Sequence, residues 1–232
     1  MKNLKNISPD YPRIAHFNKD ISKMTHDDIL PEEDVKYPIQ CFEQEKIDGS
    51  CVGVSWYEDG PVLRNRNFIL KKGYSKIRTP AKEQFKSAWN WVHNHENDIK
   101  EVIKIYGCQV TLYGEWMCFK HSISYDKLPD LFIVYDIWSV EEHKFISPDV
   151  YEKILDRTEI NYIKSHKRVF NNTSELISAS ESKSEYKDGI REGIVIKTYT
   201  NDFILNMYKI VNKHFIRRED FNESKLVRNK LI

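Results

Sequence analysis

Apolar and polar side chains alternate over Ile39–Glu45, Val52–Tyr57 and Pro61–Arg66, the period of a strand with one buried face. Glu58-Asp59-Gly60 lies between the second and third runs and predicts a hairpin turn. The period then lengthens. Phe85, Ala88, Trp89 and Val92 fall at helical spacing and predict a helix from Ala81 to about His95, with Pro80 suited to its first turn. Val110–Glu115 and Phe132–Trp138 are strand-like again. Ser147-Pro148 opens a second helix through about Asp156, and Ser174–Ser180 forms another. Ser178–Lys187 is the most loop-like stretch. Gly193–Thr198 and Phe203–Val211 predict a last strand pair that turns at Asn201-Asp202. Met1–Lys36 is polar, punctuated by Pro9, Pro12 and Pro31, and reads as an irregular lead-in; a short basic helix closes the chain. Strands and helices are interspersed and hairpin signals are frequent, so the expected class is antiparallel α+β rather than doubly wound α/β.

Composition narrows the picture only in places. At 232 residues the chain can form one large domain or two small ones, and it carries no internal repeat. Lys+Arg 36 against Asp+Glu 35 gives a net charge of +1, so any nucleic-acid surface must be local. Arg64–Lys72 and the stretch from Arg217 to Lys230 are locally basic. Cys41, Cys51, Cys108 and Cys118 make no C-x-x-C pair, which argues against structural zinc. His93 and His95 are wrongly spaced to share a helix face as metal ligands. Free thiols without a signal peptide, and no apolar run of membrane-spanning length, predict a soluble intracellular protein.

The candidate chemistry starts at Glu45-Lys46-Ile47-Asp48-Gly49, where a lysine directly follows an alternating run and precedes a turn. A lysine amine attacks only when neutral. At an ordinary pKa of about 10.4, roughly one molecule in a thousand is neutral near pH 7, so a site that uses it must lower that value or take the proton as the bond forms. Gly49 would free the turn in φ and let a phosphate approach the backbone. Asp48 could orient neighbours or bind a metal's water shell. Further along, Leu112-Tyr113-Gly114-Glu115 ends a strand on a carboxylate, and Tyr135-Asp136 sets an aromatic beside an acid. Glu192-Gly193 to Lys197 and Tyr208-Lys209 add another carboxylate and two strand lysines. Each has an ordinary explanation alone: a solvated Glu, a core Tyr, an edge-strand Lys. Together they supply a nucleophile, carboxylates for metal ions, an aromatic for a purine and cations for phosphates, the parts that nucleotidyl transfer to an amine needs.

In order and spacing these segments resemble the covalent nucleotidyltransferases, the ATP-dependent polynucleotide ligases and mRNA capping enzymes, from Tyr11-Pro12-Arg13 to about Phe215. The resemblance implies a ligase adenylation fold, antiparallel sheets flanked by helices around a nucleotide cleft. It implies a single domain over residues 1–232, with a lead-in at 1–38, a basic segment at 216–232 and no separate OB domain. Lys46 would carry AMP from ATP, with Mg²⁺ or Mn²⁺ as cofactor. Lys46, Lys197 and Lys209 would be catalytic. Glu45, Asp48, Gly49, Arg66, Glu115, Tyr135 and Glu192 would join them in binding the nucleotide, with adenine against Tyr135. Glu192 and, through water, Glu115 would hold the metal. Cys51 stands where DNA ligases and capping enzymes usually carry arginine, and Glu192-Gly193 replaces the capping enzymes' Asp-Gly. Both departures favour an RNA ligase. The block from Tyr113-Gly114-Glu115-Trp116 through Lys120-His121-Ser122-Ile123 to Leu128-Pro129 is similar to compact RNA-ligase-domain proteins of bacteria and their viruses. Val211 stands where many ligases have a second lysine, a role Lys213 could fill. The expected partners are RNA ends or nicks bearing 5′-phosphate and 3′-hydroxyl, in a cytoplasmic or virus-encoded setting, with no membrane and no particular protein partner implied. A small DNA ligase, a catalytically reduced nucleic-acid-binding relative and an adenylyltransferase with another target are the alternatives.

Overall fold

The computed structural model describes residues 8–17, 35–70, 80–212, 215 and 227–232. Lys213, Arg217, Arg218 and Lys225, singled out from the sequence, lie outside them, as do Lys71 and Lys72 of the first basic stretch. Two sheets carry the architecture. The first has the order β1-β11-β10-β2-β9, from β1 (Ala15–His16), β2 (Ile39–Lys46), β9 (His166–Phe170), β10 (Gly193–Thr200) and β11 (Phe203–Val211). The second has the order β5-β4-β3-β6-β7-β8, from β3 (Ser50–Tyr57), β4 (Gly60–Asn65), β5 (Ile69–Leu70), β6 (Val110–Trp116), β7 (Phe132–Ser139) and β8 (Lys144–Phe145). All strand pairs are antiparallel except β1 with β11. The α+β expectation holds, and the lead-in contributes a short strand that the sequence pattern does not mark.

The helices are α1 (Pro80–Asn94), α2 (Glu96–Tyr106), α3 (Pro148–Leu155) and α4 (Thr173–Ser180). Helix α2 is missing from the periodicity reading above. Its apolar face carries Ile99 and Val102, both buried, and it ends at Gly107 in the left-handed region at φ 89°, whose N–H bonds the Ile103 carbonyl. Asn172 caps α4 by accepting from the Glu175 N–H. The hairpin between β3 and β4 has Tyr57 paired with Gly60, and Asn201 adopts φ 38° in the β10–β11 turn, as a tight hairpin requires.

Three apolar clusters hold these layers. The largest joins the second sheet to α1, α2 and α3 through Val92, Ile99, Leu112, Trp116 and Tyr151. A second lies under the first sheet and α4, around Cys41, Leu176, Ile194 and Ile196. The third gathers Ile47, Met117, Tyr125, Leu128, Ile133 and Ile163. Ile47 anchors the chain where it crosses between the sheets, one residue after Lys46. The basic stretch at 64–72 is no solvated face at its start: Arg64 is buried and bonds the Ser8 carbonyl and the Asp10 carboxylate, fastening the lead-in to β4. Nor is the described part of the basic tail helical. Residues 227–232 run extended, with Arg228 bridged to Phe119 and Leu231 to Leu128.

Candidate active site

Strand register assembles one face of a cleft. Across β2, β10 and β11, Gln44 stands opposite Val195, which stands opposite Lys209, while Phe42, Lys197 and Met207 form a second row. A third row pairs Lys46 with Gly193, so Glu192, one residue before Gly193, comes beside the lysine. Side chains two apart on a strand share a face, so Gln44, Lys46, Val195, Lys197 and Lys209 converge. The same rule sends Glu43 and Glu45 to the opposite face. There Glu45 accepts from Ser184 Oγ at 2.6 Å and from the Glu185 N–H at 2.8 Å. Glu45 borders the cleft, with its carboxylate engaged by Ser184 and Glu185 on the other face of the strand. Gly193 is required by packing: a Cβ there would sit 2.1 Å from the Ile210 carbonyl oxygen.

The second sheet supplies the facing wall. Cys51 pairs with Glu115 across β3 and β6. In the β6–β7 ladder Tyr113 pairs with Asp136 and Gly114 with Val134, which leaves Tyr135 as the extra residue of a β-bulge. The Tyr135 hydroxyl reaches Cys51 Sγ at 3.1 Å. The cleft encloses about 560 Å³, within the range of small-molecule sites, and is bordered by Lys46, Arg66, Glu115, Tyr135, Lys197 and Lys209.

At its centre Lys46 Nζ donates to Glu192 Oε1 at 2.5 Å. Burial pulls the Lys46 pKa down, but the charges of Glu192, Asp48 and Glu115 outweigh it and hold the value above the ordinary one. The Lys46 side chain is therefore held as an ammonium clamped by Glu192. Glu115 shows the converse. Burial pushes its carboxyl up to about 7, Asp48 and Glu192 add to the rise, and Lys46 and the Gly49 N–H, which donates to Oε1 at 2.8 Å, oppose it. Asp48 serves the turn: its Oδ2 accepts from the Ser122 N–H at 2.8 Å and its own N–H donates to Tyr125 Oη at 3.0 Å. Gly49 is needed for close approach and not for φ. A Cβ there would lie 2.7 Å from both the Met117 sulfur and the Trp116 carbonyl oxygen.

Lys197 is more engaged than its sequence position suggests. Its Nζ donates to Asp136 Oδ1 at 2.7 Å and to the Tyr135 carbonyl at 2.6 Å, and the Lys197–Asp136 pair is buried. Burial draws Asp136 above and Lys197 below their ordinary pKa values, each partner's charge resisting. Two of the three Lys197 N–H donors are thus taken. Arg66 Nε is buried at the cleft and has no hydrogen-bond partner among the described residues. A buried guanidinium donor in that state is costly unless a ligand completes it.

Three contributors had no site role in the sequence reading, although Tyr11 and Arg13 open the stretch that carries the resemblance. Tyr11 is buried, donates to Asp136 Oδ2 at 2.6 Å and sets its ring edge-on to Tyr135 with centroids 5.2 Å apart. Gln44 Nε2 reaches Tyr151 Oη at 2.7 Å and the Ile163 carbonyl at 3.1 Å, bracing the cleft floor. Arg13 also borders the cleft. A buried polar residue inside a strand pattern was the available signal for Gln44. His121 lies 3.3 Å from Ser50 Oγ, and burial lowers its pKa.

A lysine at a strand end, clamped by a carboxylate from a neighbouring strand and faced by a second sheet across a nucleotide-sized cleft, defines a nucleotidyltransferase fold of the RNA ligase kind. The RNA ligase family profile matches residues 39–211, and the chain belongs to that family. Solved structures of the Naegleria gruberi RNA ligase are similar. A variant solved with AMP and Mn gives a TM-score of 0.60 at 13% identity, covering 89% of this chain and 60% of that one. Another variant, with ATP and Mn, gives 0.57 at 16% identity with the same coverages of 89% and 60%. The ligase with PPi gives 0.57 at 18% identity, covering 75% of this chain and 49% of that one. The chain thus spans about half to three-fifths of the length of these structures. At such identities the likeness is one of fold. A comparison with curated proteins gave no match. Among the described residues no helix is long and apolar enough to cross a membrane.

Proposed function

We propose that the protein is an ATP-dependent RNA ligase that works through a lysyl-AMP intermediate on Lys46. The observation that carries the reading is the 2.5 Å contact between Lys46 Nζ and Glu192 Oε1 on the wall of the cleft that also presents Arg66, Glu115, Tyr135 and Lys209. In the first step Lys46 Nζ attacks the α-phosphorus of ATP. The nitrogen–phosphorus bond forms, the bond to the β-phosphate oxygen breaks and pyrophosphate leaves. Glu192 Oε1 is placed to take the lysine proton. Lys209, the remaining N–H of Lys197 and Arg66 Nε offer cations to phosphate or ribose oxygens. Adenine lies beside Tyr135, which the bulge, Cys51 and Tyr11 hold in place. AMP then passes to a 5′-phosphate, breaking the bond to Lys46, and a 3′-hydroxyl displaces AMP to close the strand.

The donor set fits a hard divalent cation. Asp48, Glu115 and Glu192 set three carboxylates around one ammonium, and their mutual repulsion contributes to the raised Glu115 pKa. Among the described residues no three or more His, Cys, Asp or Glu side chains form a ready-made cage. Glu192, and Glu115 through water, would therefore hold Mg²⁺ or Mn²⁺ together with substrate phosphates, the usual mode for Mg²⁺. Bound there, the cation would offset phosphate charge and favour the neutral amine of Lys46.

Cys51 and Glu192-Gly193 support an RNA ligase, and the block from Tyr113 to Pro129 with Tyr208-Lys209-Ile210-Val211 supports the compact bacterial and viral type, acting in RNA repair on 5′-phosphate and 3′-hydroxyl ends. Four free thiols suit a reducing, cytoplasmic setting. Parallel sealing assays on nicked and single-stranded RNA and on nicked DNA, with ATP and Mg²⁺, test the reading. Sealing of RNA in preference to DNA is expected; preference for nicked DNA, or sealing of neither, would overturn it.

A further inference from the structure

We infer that Asn229 is a positioning residue for the lysine turn, an inference that rests on the adenylation reading above. Residues 227–232 lie along the segment 117–128. The Lys120 N–H donates to the Val227 carbonyl at 2.7 Å, the Lys230 N–H to the Tyr125 carbonyl at 3.0 Å, and the Ile232 N–H to the Leu128 carbonyl at 3.1 Å. The Arg228 guanidinium sits over the Phe119 ring, 5.5 Å from its centroid. Between these contacts the Asn229 side chain is buried. Its Oδ1 accepts from the Tyr125 N–H at 3.0 Å and its Nδ2 donates to the Met117 carbonyl at 2.9 Å. One carboxamide therefore ties together both ends of the segment 117–125.

That segment holds the turn after the nucleophile. Tyr125 Oη accepts from the Asp48 N–H, the Ser122 N–H donates to Asp48 Oδ2, and the Met117 sulfur and Trp116 carbonyl press against Gly49. Ile47 packs into the same apolar cluster as Met117 and Tyr125. Lys46 is thus fixed from the following side by a segment whose own closure depends on Asn229. The Tyr125 N–H can only donate and the Met117 carbonyl can only accept, so the residue at 229 must present one acceptor and one donor in a plane. Aspartate keeps the acceptor and loses the donor; alanine loses both and leaves two buried backbone groups unpaired.

The test uses the full chain. Single-turnover transfer of AMP from labelled ATP to Lys46, KM for ATP, and amide hydrogen exchange are measured for wild type, Asn229→Ala and Asn229→Asp. A misplacement of about 1 Å far from the chemistry can cost on the order of a hundredfold in rate. Asn229→Ala should approach that loss with KM little changed, and the Asp48 and Ser122 amides should exchange faster while those of β10 do not. Tyr125→Phe, which removes one link in the same chain of contacts, should also slow transfer, and its effect should be less than multiplicative with Asn229→Ala. Should Asn229→Ala not fold, Asn229→Asp carries the same comparison. Wild-type transfer by a folded Asn229 variant, or exchange that rises uniformly over the molecule, would overturn the inference. If wild type itself forms no adduct, the adenylation reading fails, and the exchange data still decide whether Asn229 holds the turn.

Discussion

Replacing Glu115 with Gln should stabilise the protein at neutral and alkaline pH and leave it little changed in acid. Burial raises the Glu115 carboxyl from 4.5 to about 7 in the folded state. A rise from 4.5 to about 7 corresponds to about 3 kcal/mol against the half-buried anion. Because the folded pKa is the higher one, the folded state binds more protons than the unfolded state between these values. The carboxyl's contribution to stability is therefore fully present below the unfolded pKa and is lost as pH rises through about 7. Gln keeps an acceptor for the Gly49 N–H, which lies 2.8 Å from Oε1, and carries no charge to desolvate. Urea unfolding of both proteins without divalent metal, at about pH 5 and about pH 8, should show the advantage of Gln growing by about 2 to 3 kcal/mol. A wild-type and variant pair that lose or gain stability in parallel across that window would refute a half-buried, proton-hungry carboxylate beside Lys46.

The buried pair Asp136–Lys197 gives a second expectation. Asp136→Asn should cost about 3 to 5 kcal/mol in urea unfolding, since it leaves Lys197 charged and poorly paired, whereas replacing both residues with apolar ones of similar volume should cost less. Gly49→Ala should destabilise by about 1 to 3 kcal/mol and slow AMP transfer, because the Trp116 carbonyl that the new Cβ meets at 2.7 Å is backbone and cannot swing aside. Tyr11→Phe should cost about 1 to 3 kcal/mol by thermal or urea unfolding, as it removes the 2.6 Å bond to the Asp136 carboxylate.

Much of this site was legible in the chain because strand alternation and register do most of the work. Once β2 and β10 are recognised as strands, Lys46 and Glu192 need only the pairing of Lys46 with Gly193 to meet. The end of α1 falls within a residue of the periodicity reading. What escaped has physical causes. Helix α2 begins directly after α1 without a breaker between them, so Ile99 and Val102 were not read as a separate face. Strand β9, His166–Phe170, has four exposed positions and one buried, and its identity comes from pairing with β2 rather than from alternation. The segment 227–232 is extended for the same reason: tertiary hydrogen bonds override a charge pattern that suggests a helix. Glu45 illustrates the parity rule. It is adjacent to Lys46 in sequence, and for that reason its carboxylate faces the other side of the sheet.

The most direct test of the account is incubation of the protein with α-labelled ATP and Mg²⁺, followed by a denaturing gel, beside Lys46→Ala and a panel of the other labelled nucleotides. The account predicts label that survives denaturation, is strongest with ATP, and is absent from Lys46→Ala. Covalent AMP retained in that variant, or no covalent label on the wild-type protein, would contradict it.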